Sequence, residues 1–166
     1  MDEFILTKMG VTVPTREFVS TVYIVKEKRV LLVWNKKAAS FVPIGGHVDK
    51  NELPCDSVIR EAKEESGFDI KIIGGKDVGR EIISASGSKR VYIPQNFAIG
   101  LDVIKPDHHH INLIYIGKIE GGIQLARSDE GDELRWFSKE ELKAEPNLLE
   151  NVKEEGMKVL DFIEKY

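Results

Sequence analysis

The sequence predicts an α+β fold in which a mixed β-sheet is flanked by helices. Segments rich in β-branched and aromatic residues, which are typical of strands, outnumber the helical segments. The helical segments interrupt them at irregular intervals, which favours α+β over a doubly wound parallel sheet. The chain has 166 residues, of which 42% are hydrophobic, so it is long enough to bury a substantial core. This length fits one domain spanning residues 1–166.

The first predicted element is a β-hairpin. Residues 17–26 (EFVSTVYIVK) and 30–35 (VLLVWN) have strand composition, and a short charged segment separates them. Residues 36–53 are expected to form a loop, because they contain a proline and a glycine pair.

A helix is predicted next, over residues 54–66. Proline suits the first turn, and Gly67 supplies the stop that commonly follows a helix. The start is poorly capped, because Leu53 stands where Ser, Thr or Asp is preferred.

The remaining chain is predicted to hold further strands and two closing helices. The segment from Ser138 to Glu141 resembles a capping box, and a last helix is expected near residues 147–165, weakened by Gly156. The predicted strands cover residues 68–73, 96–104, 111–119 and 133–137.

Charge and composition exclude several classes of protein. The formal net charge is −4, which argues against binding a nucleic-acid polymer or an anionic membrane surface. The single cysteine, Cys55, excludes an intramolecular disulfide and a cysteine-clustered metal site, and its place at a helix start favours a lowered thiol pKa. No apolar run is long enough to span a membrane and no signal peptide is evident, so a cytoplasmic protein is expected.

Three glutamates crowd one face of the predicted helix over residues 54–66. Glu61, Glu64 and Glu65 stand at i, i+3 and i+4, and each like-charged pair at such spacing costs roughly 0.2–0.5 kcal/mol. One interpretation is a solvated acidic face, which an ion pair between Arg60 and Glu64 would support. The other is a site for Mg²⁺, which prefers oxygen ligands and keeps water for substrate phosphates.

A longer pattern favours the metal site. Residues 46–68 read GHVDKNELPCDSVIREAKEESGF, which resembles the Nudix box, G-x5-E-x7-R-E-U-x-E-E-x-G-U with U bulky and apolar. At average residue frequencies such a match arises by chance about once in a million chains of this length. Ala62 departs from the pattern, where Ile, Leu or Val is usual. The fixed positions are all filled, by Gly46, Glu52, Arg60, Glu61, Glu64, Glu65 and Gly67.

The resemblance extends beyond the box. The preceding FVPIGGHVD is similar to the family's Pro-x-Gly-Gly loop, and residues 133–138 are similar to the segment before the family's closing helix. Together these features cover most of residues 17–143. They imply a Nudix-like α/β/α sandwich, that is, a mixed β-sheet with flanking helices.

The resemblance also implies roles for individual residues. Glu64 and Glu65 resemble the principal metal ligands, and Glu61 resembles a further ligand or the general base. The backbone carbonyl of Gly45 completes the implied ligand set. Arg60 would orient these carboxylates.

Within that scheme Glu52 is the implied partner of Arg60, and Gly67 is structural. The base or an extra ligand can instead come from the acidic loop at residues 128–133, where Glu130 and Glu133 are the candidates and the sequence context slightly favours Glu133. An acidic surface turn explains the same loop equally well.

The implied activity is hydrolysis of a diphosphate linkage in a nucleoside diphosphate derivative, with Mg²⁺ or Mn²⁺ as cofactor. A MutT-like nucleoside triphosphate pyrophosphatase is favoured, because the chain is compact and lacks a long N-terminal extension. The alternatives are an ADP-ribose or sugar-nucleotide pyrophosphatase and a module of another class that binds a nucleotide without cleaving it. The expected partner is therefore a small nucleotide, and a homodimer is compatible with the sequence.

Three consecutive histidines, His108, His109 and His110, lie just before a predicted strand. Alternate members of such a run face the same side, so at most two converge. They fit a polar loop leading into the strand, a metal site, or donors to a substrate phosphate. Specificity is expected to lie in the loops at residues 36–44, 74–96 and 105–110, although the sequence does not identify the substrate.

Overall fold

The fold is built around one large β-sheet. The computed structural model describes residues 13–125 and 132–166. Ten strands are present in these ranges: β1 (Thr15–Lys26), β2 (Arg29–Asn35), β3 (Ser40–Val42), β4 (Ile44–His47), β5 (Phe68–Ile72), β6 (Glu81–Ile83), β7 (Lys89–Val91), β8 (Ala98–Lys105), β9 (His108–Gly122) and β10 (Leu134–Phe137).

Three α-helices pack against this sheet. They are α1 (Pro54–Glu61), α2 (Lys139–Ala144) and α3 (Glu150–Ile163), and a short π-helix (Ala62–Ser66) continues α1. The capping box predicted at Ser138 is present, since its hydroxyl accepts from the Glu141 amide and the Glu141 carboxylate accepts from the Ser138 amide.

The sheet is mixed, as the sequence predicts. Its strands run in the order β10-β2-β1-β9-β5, with β3 beside β2, β4 beside β1 and β8 beside β9. The long β1–β9 pair is parallel, and the other pairs of the sheet are antiparallel. Strands β6 and β7 form a separate hairpin within the predicted specificity loop at residues 74–96.

Apolar side chains cover both faces of the sheet. One cluster packs α1 against the sheet and includes Val22, Ile24 and Val58. The second packs α2 and α3 against the opposite face and includes Tyr23, Leu142 and Leu160. Val22 and Tyr23 of β1 therefore belong to different clusters, because successive residues of a strand point to opposite faces of the sheet.

The first hairpin is confirmed, whereas the loop predicted at residues 36–53 is partly wrong. That segment contains β3 and β4, which pair with β2 and β1. Both strands are short, and β4 holds the glycine pair, so the local sequence of this segment is that of a loop. Pairing with longer neighbouring strands overrides this preference.

The helix predicted over residues 54–66 forms, but it changes geometry along its length. It is α-helical to Glu61 and π-helical from Ala62 to Ser66, and the Ser66 hydroxyl donates to the Ala62 carbonyl at 2.5 Å. Gly67 ends it with a φ of 78°. Leu53 provides no side-chain cap, as predicted. Short π segments within helices are frequent at functional sites, because they alter the direction of the side chains that follow.

Cys55 is buried near the start of α1, and burial raises the pKa of its thiol. The lowered pKa predicted from its position at a helix start is therefore wrong, because desolvation of the thiolate outweighs the helix terminus. Among the described residues, no helix is long and apolar enough to cross a membrane.

Candidate active site

The candidate site is built from the end of α1 and the π-helix that continues it. Glu61 is the last residue of α1, and Glu64 and Glu65 lie within the π-helix. Glu52 precedes α1 and faces the same cluster. The structure therefore brings together the four glutamates of the box.

Arg60 holds this cluster together. Its Nε and Nη2 donate to the two carboxylate oxygens of Glu52 at 2.9 and 3.0 Å, which is a bidentate pair. Its Nη1 donates to Glu61 at 2.7 Å and to Glu64 at 3.1 Å. The ion pair between Arg60 and Glu64 that the acidic-face interpretation predicts is present, but it is one of three ion pairs that Arg60 makes with glutamates.

The electrostatics follow from these contacts. Hydrogen bonds from Arg60 hold the pKa of the Glu52 carboxyl below its ordinary value, and the carboxylates of Glu52 and Glu61 raise the pKa of Arg60. The side chains of Glu52 and Glu61 are each only 16% exposed, so water screens these interactions weakly. Glu52 and Arg60 therefore form a charged pair at neutral pH.

Two glycines let the loop before α1 approach the carboxylates closely. A Cβ atom at Gly46 would lie 2.8 Å from Glu61 Oε1, so Glu61 occupies the space that a side chain would fill. The Gly45 amide donates to Glu65 Oε2 at 3.4 Å. Gly45 itself has a φ of 148°, and its Cβ would collide with the Ser20 carbonyl.

Two supporting contacts were not found from the sequence. The Ser57 hydroxyl accepts a hydrogen bond from Arg60 at 3.4 Å, and the Asp49 amide donates to Glu52 at 3.1 Å. Ser57 stands three residues before Arg60 on the same helix, so helical spacing was the available signal. The Asp49 contact depends on a turn that the sequence does not reveal.

The acidic loop at residues 128–133 contains the two other candidate bases, Glu130 and Glu133. Glu130 lies outside the described residues. Glu133 is exposed and immediately precedes β10, and its carbonyl accepts from the Trp34 amide at 2.8 Å. In the described part of the chain its side chain has no hydrogen bond or ion pair to the box. A role for Glu133 as the base stays a prediction.

The three histidines form the beginning of β9 rather than a loop. His108 and His110 lie side by side, with 2.9 Å between their Nε2 atoms, and His109 projects elsewhere, as alternation along a strand predicts. They meet Glu17 and His47, which no sequence signal connected to them. Burial and the neighbouring His47 and His108 lower the pKa of His110.

Two concavities lie near these features. The larger, of about 870 Å³, is lined by apolar residues such as Ile59, Ile70 and Ile72 and by none of the box carboxylates. A second, of about 710 Å³, lies between Glu52 and the Glu17–His47 pair. The second concavity borders the carboxylate cluster through Glu52 alone, since Glu61, Glu64 and Glu65 do not line it.

The comparisons with known proteins agree with this geometry. Residues 15–158 match the family described as NUDIX domain. A Nudix-family hydrolase from Clostridium perfringens is 33% identical, with a TM-score of 0.77, covering 90% of this chain and 99% of that one. Comparison with curated proteins gives no match.

Other solved structures share the fold at lower identity. A MutT Nudix hydrolase from Burkholderia pseudomallei is 18% identical with a TM-score of 0.60, covering 89% of this chain and 97% of that one. An ADP-ribose pyrophosphatase from Streptococcus suis is 21% identical with a TM-score of 0.54, covering 89% and 91% respectively.

The structure combines a mixed sheet between helices with glutamates gathered around one arginine at the end of a helix. The match over residues 15–158 and the 33% identity show the family to which these features belong. The chain belongs to the Nudix family, and it is a pyrophosphohydrolase acting on nucleotide-like small molecules.

Proposed function

We propose that this protein is a divalent-metal-dependent hydrolase that cleaves the diphosphate linkage of a nucleoside diphosphate derivative, with Mg²⁺ as the ordinary cofactor. The observation that carries the proposal is the arginine-centred cluster, in which Arg60 contacts Glu52, Glu61 and Glu64 at 3.1 Å or less. A solvated acidic face requires neither the bidentate pair of Arg60 with Glu52 nor the close approach of Gly46 to the Glu61 carboxylate. We therefore infer that the cluster is organised to bind a cation.

The donor set fits a hard cation. Glu61, Glu64 and Glu65 offer only oxygen atoms, as Mg²⁺ and Mn²⁺ prefer. The glycine at position 46 leaves room for the Glu61 carboxylate, and the Gly45 amide lies against Glu65. We assign the metal ligands to these three glutamates and the Gly45 carbonyl.

When bound, the cation supplies positive charge against the substrate phosphates and acidifies the attacking water. The protein's own groups do the rest. Arg60 and Glu52 are positioning residues, because the bidentate pair fixes the guanidinium that in turn orients Glu61 and Glu64. Glu61 is a ligand or accepts the proton of the attacking water, and Glu133 is the alternative base.

For the substrate, we propose a nucleoside triphosphate, cleaved to a monophosphate and pyrophosphate. The alternatives are ADP-ribose and sugar nucleotides. Structures with the names MutT, UDP-X diphosphatase and ADP-ribose pyrophosphatase share this fold, so the fold does not choose among them.

The test is product analysis over a nucleotide panel with Mg²⁺. The panel holds ordinary and oxidised nucleoside triphosphates, ADP-ribose, sugar nucleotides and dinucleoside polyphosphates. We expect turnover of one class, lost on chelation and reduced at least about 100-fold in Glu64→Gln. The matched control is Glu154→Gln, a charge-neutralising change at an exposed glutamate of α3, which should keep full turnover.

Two results would contradict the proposal. Absence of turnover across the panel, with the protein folded and still binding a nucleotide, would favour the non-catalytic module. Equal turnover in wild type and Glu64→Gln would remove the carboxylate cluster from the reaction. To separate the two candidate bases, Glu61→Gln and Glu133→Gln are compared by the pH dependence of kcat, since only loss of the true base removes the acidic limb.

A further inference from the structure

A second cluster of potential metal ligands lies outside the carboxylate site. Glu17 of β1, His47 of β4 and His110 of β9 place one ligand atom each within 4.8 Å of one another. Glu17 Oε2 is 3.2 Å from His47 Nε2, 3.9 Å from His110 Nε2 and 3.4 Å from His108 Nε2. Three imidazoles therefore face one carboxylate oxygen.

The sheet itself produces this convergence. In the parallel pairing of β1 with β9, Glu17 lies directly beside His110, and His108 is two residues away on the same face. In the antiparallel pairing of β1 with β4, His47 lies beside Val19, which shares the face of Glu17. Three strands thus deliver the four side chains to one point.

The cluster lies apart from the glutamates proposed as Mg²⁺ ligands, and it shares a concavity with only one box carboxylate, that of Glu52. Gly46 faces α1, because its missing Cβ would touch Glu61. His47 follows it on the strand and so points to the opposite face of the sheet. Of the ligands proposed for Mg²⁺, none belongs to the histidine cluster.

The chemistry of the donors favours a cation of the zinc class. Three imidazole nitrogens and one carboxylate oxygen make a set that suits Zn²⁺, whereas Mg²⁺ prefers oxygen alone. Ligand atoms bound at about 2.0–2.1 Å around a tetrahedral ion lie roughly 3.4 Å apart. The separations of 3.2, 3.4 and 3.9 Å from Glu17 Oε2 are close to that value, and the 2.9 Å between His108 and His110 needs only a small opening.

Two other interpretations of the cluster are weaker. A substrate phosphate would meet the Glu17 carboxylate, which repels an anion. A hydrogen-bonded cluster without a ligand explains the contact between His108 and His110 and the 3.2 Å contact between His47 and Glu17. It does not explain why His110 faces the same Glu17 oxygen at 3.9 Å, which is beyond hydrogen-bond distance. Access is open, since the side chains of His47 and Glu17 are 58% and 45% exposed.

We propose that Glu17, His47, His108 and His110 form a second metal site, selective for Zn²⁺ or a similar transition-metal ion and independent of the Nudix carboxylates. The ion joins β1, β4 and β9, and so links the strand that carries Gly45 and Gly46 to the centre of the sheet. Its binding is expected to stabilise the fold as well as to occupy the site.

The experiment measures Zn²⁺ affinity by competition with a chromogenic chelator, using the full chain without a polyhistidine tag and with excess Mg²⁺ to occupy the carboxylates. We expect one Zn²⁺ per chain at this site and an increase in Tm on its addition. His47→Ala and His110→Ala should each weaken binding by about 100-fold or more and remove the Tm increase. Co²⁺ in place of Zn²⁺ should give the visible absorption of a tetrahedral nitrogen and oxygen site.

Two controls make the result specific. His109→Ala changes the neighbouring histidine of the same tract and should retain wild-type affinity. Glu64→Gln should also retain it, which separates this site from the proposed catalytic one. If His110→Ala fails to fold, the Zn²⁺ affinity of His47→Ala, a change at an exposed position, decides the result. Equal Zn²⁺ affinity in wild type and His47→Ala, or an equal loss in His109→Ala, would overturn the proposal.

Discussion

At the scale of single residues, Arg60 determines how the site is organised. Its guanidinium donates two hydrogen bonds to the Glu52 carboxylate and one each to Glu61 and Glu64. The sequence indicates the participants through the box pattern. It does not show that Ser57 also contacts Arg60, because that depends on side-chain orientation.

Gly46 is predicted to be required for activity rather than for folding. In Gly46→Ala the new Cβ would lie 2.8 Å from Glu61 Oε1, so the carboxylate must move. Because misplacement by about 1 Å can cost about 100-fold in rate, we expect kcat to fall about 10- to 100-fold. Steady-state kinetics and circular dichroism together check this. Loss of the folded spectrum, or unchanged kcat, would contradict it.

Glu52 is predicted to stabilise the fold in a pH-dependent way. Its pKa in the folded protein lies below the ordinary 4.5, because Arg60 donates to its carboxylate. The stabilisation is therefore present above pH 4.5 and is lost as the pH falls through the lowered pKa. Glu52→Gln should lower the free energy of unfolding by about 1–2 kcal/mol at pH 7, and the difference should shrink below pH 4.5.

Urea unfolding between pH 7 and pH 3, with a chelator present, measures this difference. Glu120→Gln, a change at an exposed carboxylate of β9, serves as the control and should leave the pH dependence of stability close to that of wild type. A difference between wild type and Glu52→Gln that is constant with pH would show that Glu52 acts through packing rather than through its charge.

At the scale of elements, the sequence located strands and helices better than it located their irregularities. Strands β1 and β2 are rich in β-branched residues, which are typical of strands, so the sequence predicts their hairpin. Strands β6 and β7 were not predicted, because they are three residues each and fully exposed. The π-helix was also missed, since helical spacing alone does not distinguish it from an α-helix.

The turn between β1 and β2 is predicted to carry backbone strain. Glu27 and Lys28 have φ values of 49° and 60°, which suit a type I′ hairpin turn but disfavour side chains other than those of Gly, Asn or Asp. Lys28→Gly should raise the free energy of unfolding by about 0.5–1 kcal/mol, because relief of strain exceeds the entropy cost of glycine.

Chemical denaturation compares this variant with Lys37→Gly. Lys37 lies in the turn at residues 36–39 but does not itself have a positive φ, so glycine at this position should not stabilise the protein. Equal effects of the two substitutions would show that the hairpin turn is not strained.

At the scale of the whole molecule, the C-terminal helices close the second core. Tyr23, fully buried on β1, donates from its hydroxyl to Glu155 of α3 at 2.9 Å, and burial is the main cause of its strongly raised pKa. Gly156, which the sequence identifies only as a weak point of the helix, is the place where α3 approaches Leu142 of α2 and Tyr23. Oligomeric state stays a prediction.

Gly156 is predicted to be required for this close packing. A Cβ there would lie 3.0 Å from Leu142 Cδ1, and Leu142 is fully buried and has little room to move. Gly156→Val should therefore lower the free energy of unfolding by about 1–3 kcal/mol. The control is Asn151→Val, at an exposed position of the same helix, where only a few tenths of a kcal/mol are expected. Similar losses in both variants would contradict the packing argument.

The sequence by itself determined the class of fold, the helix that carries the glutamates and the identity of the box residues, because helical spacing and motif spacing are local properties. The tertiary structure alone decided that Arg60 contacts three carboxylates at once and that Glu17 and His47 meet His108 and His110. Glu17, His47 and the pair His108 and His110 are distant from one another in sequence, and only the pairing of β1 with β4 and β9 brings them together. Strand register is set by the packing of the entire sheet, so no local pattern reveals it.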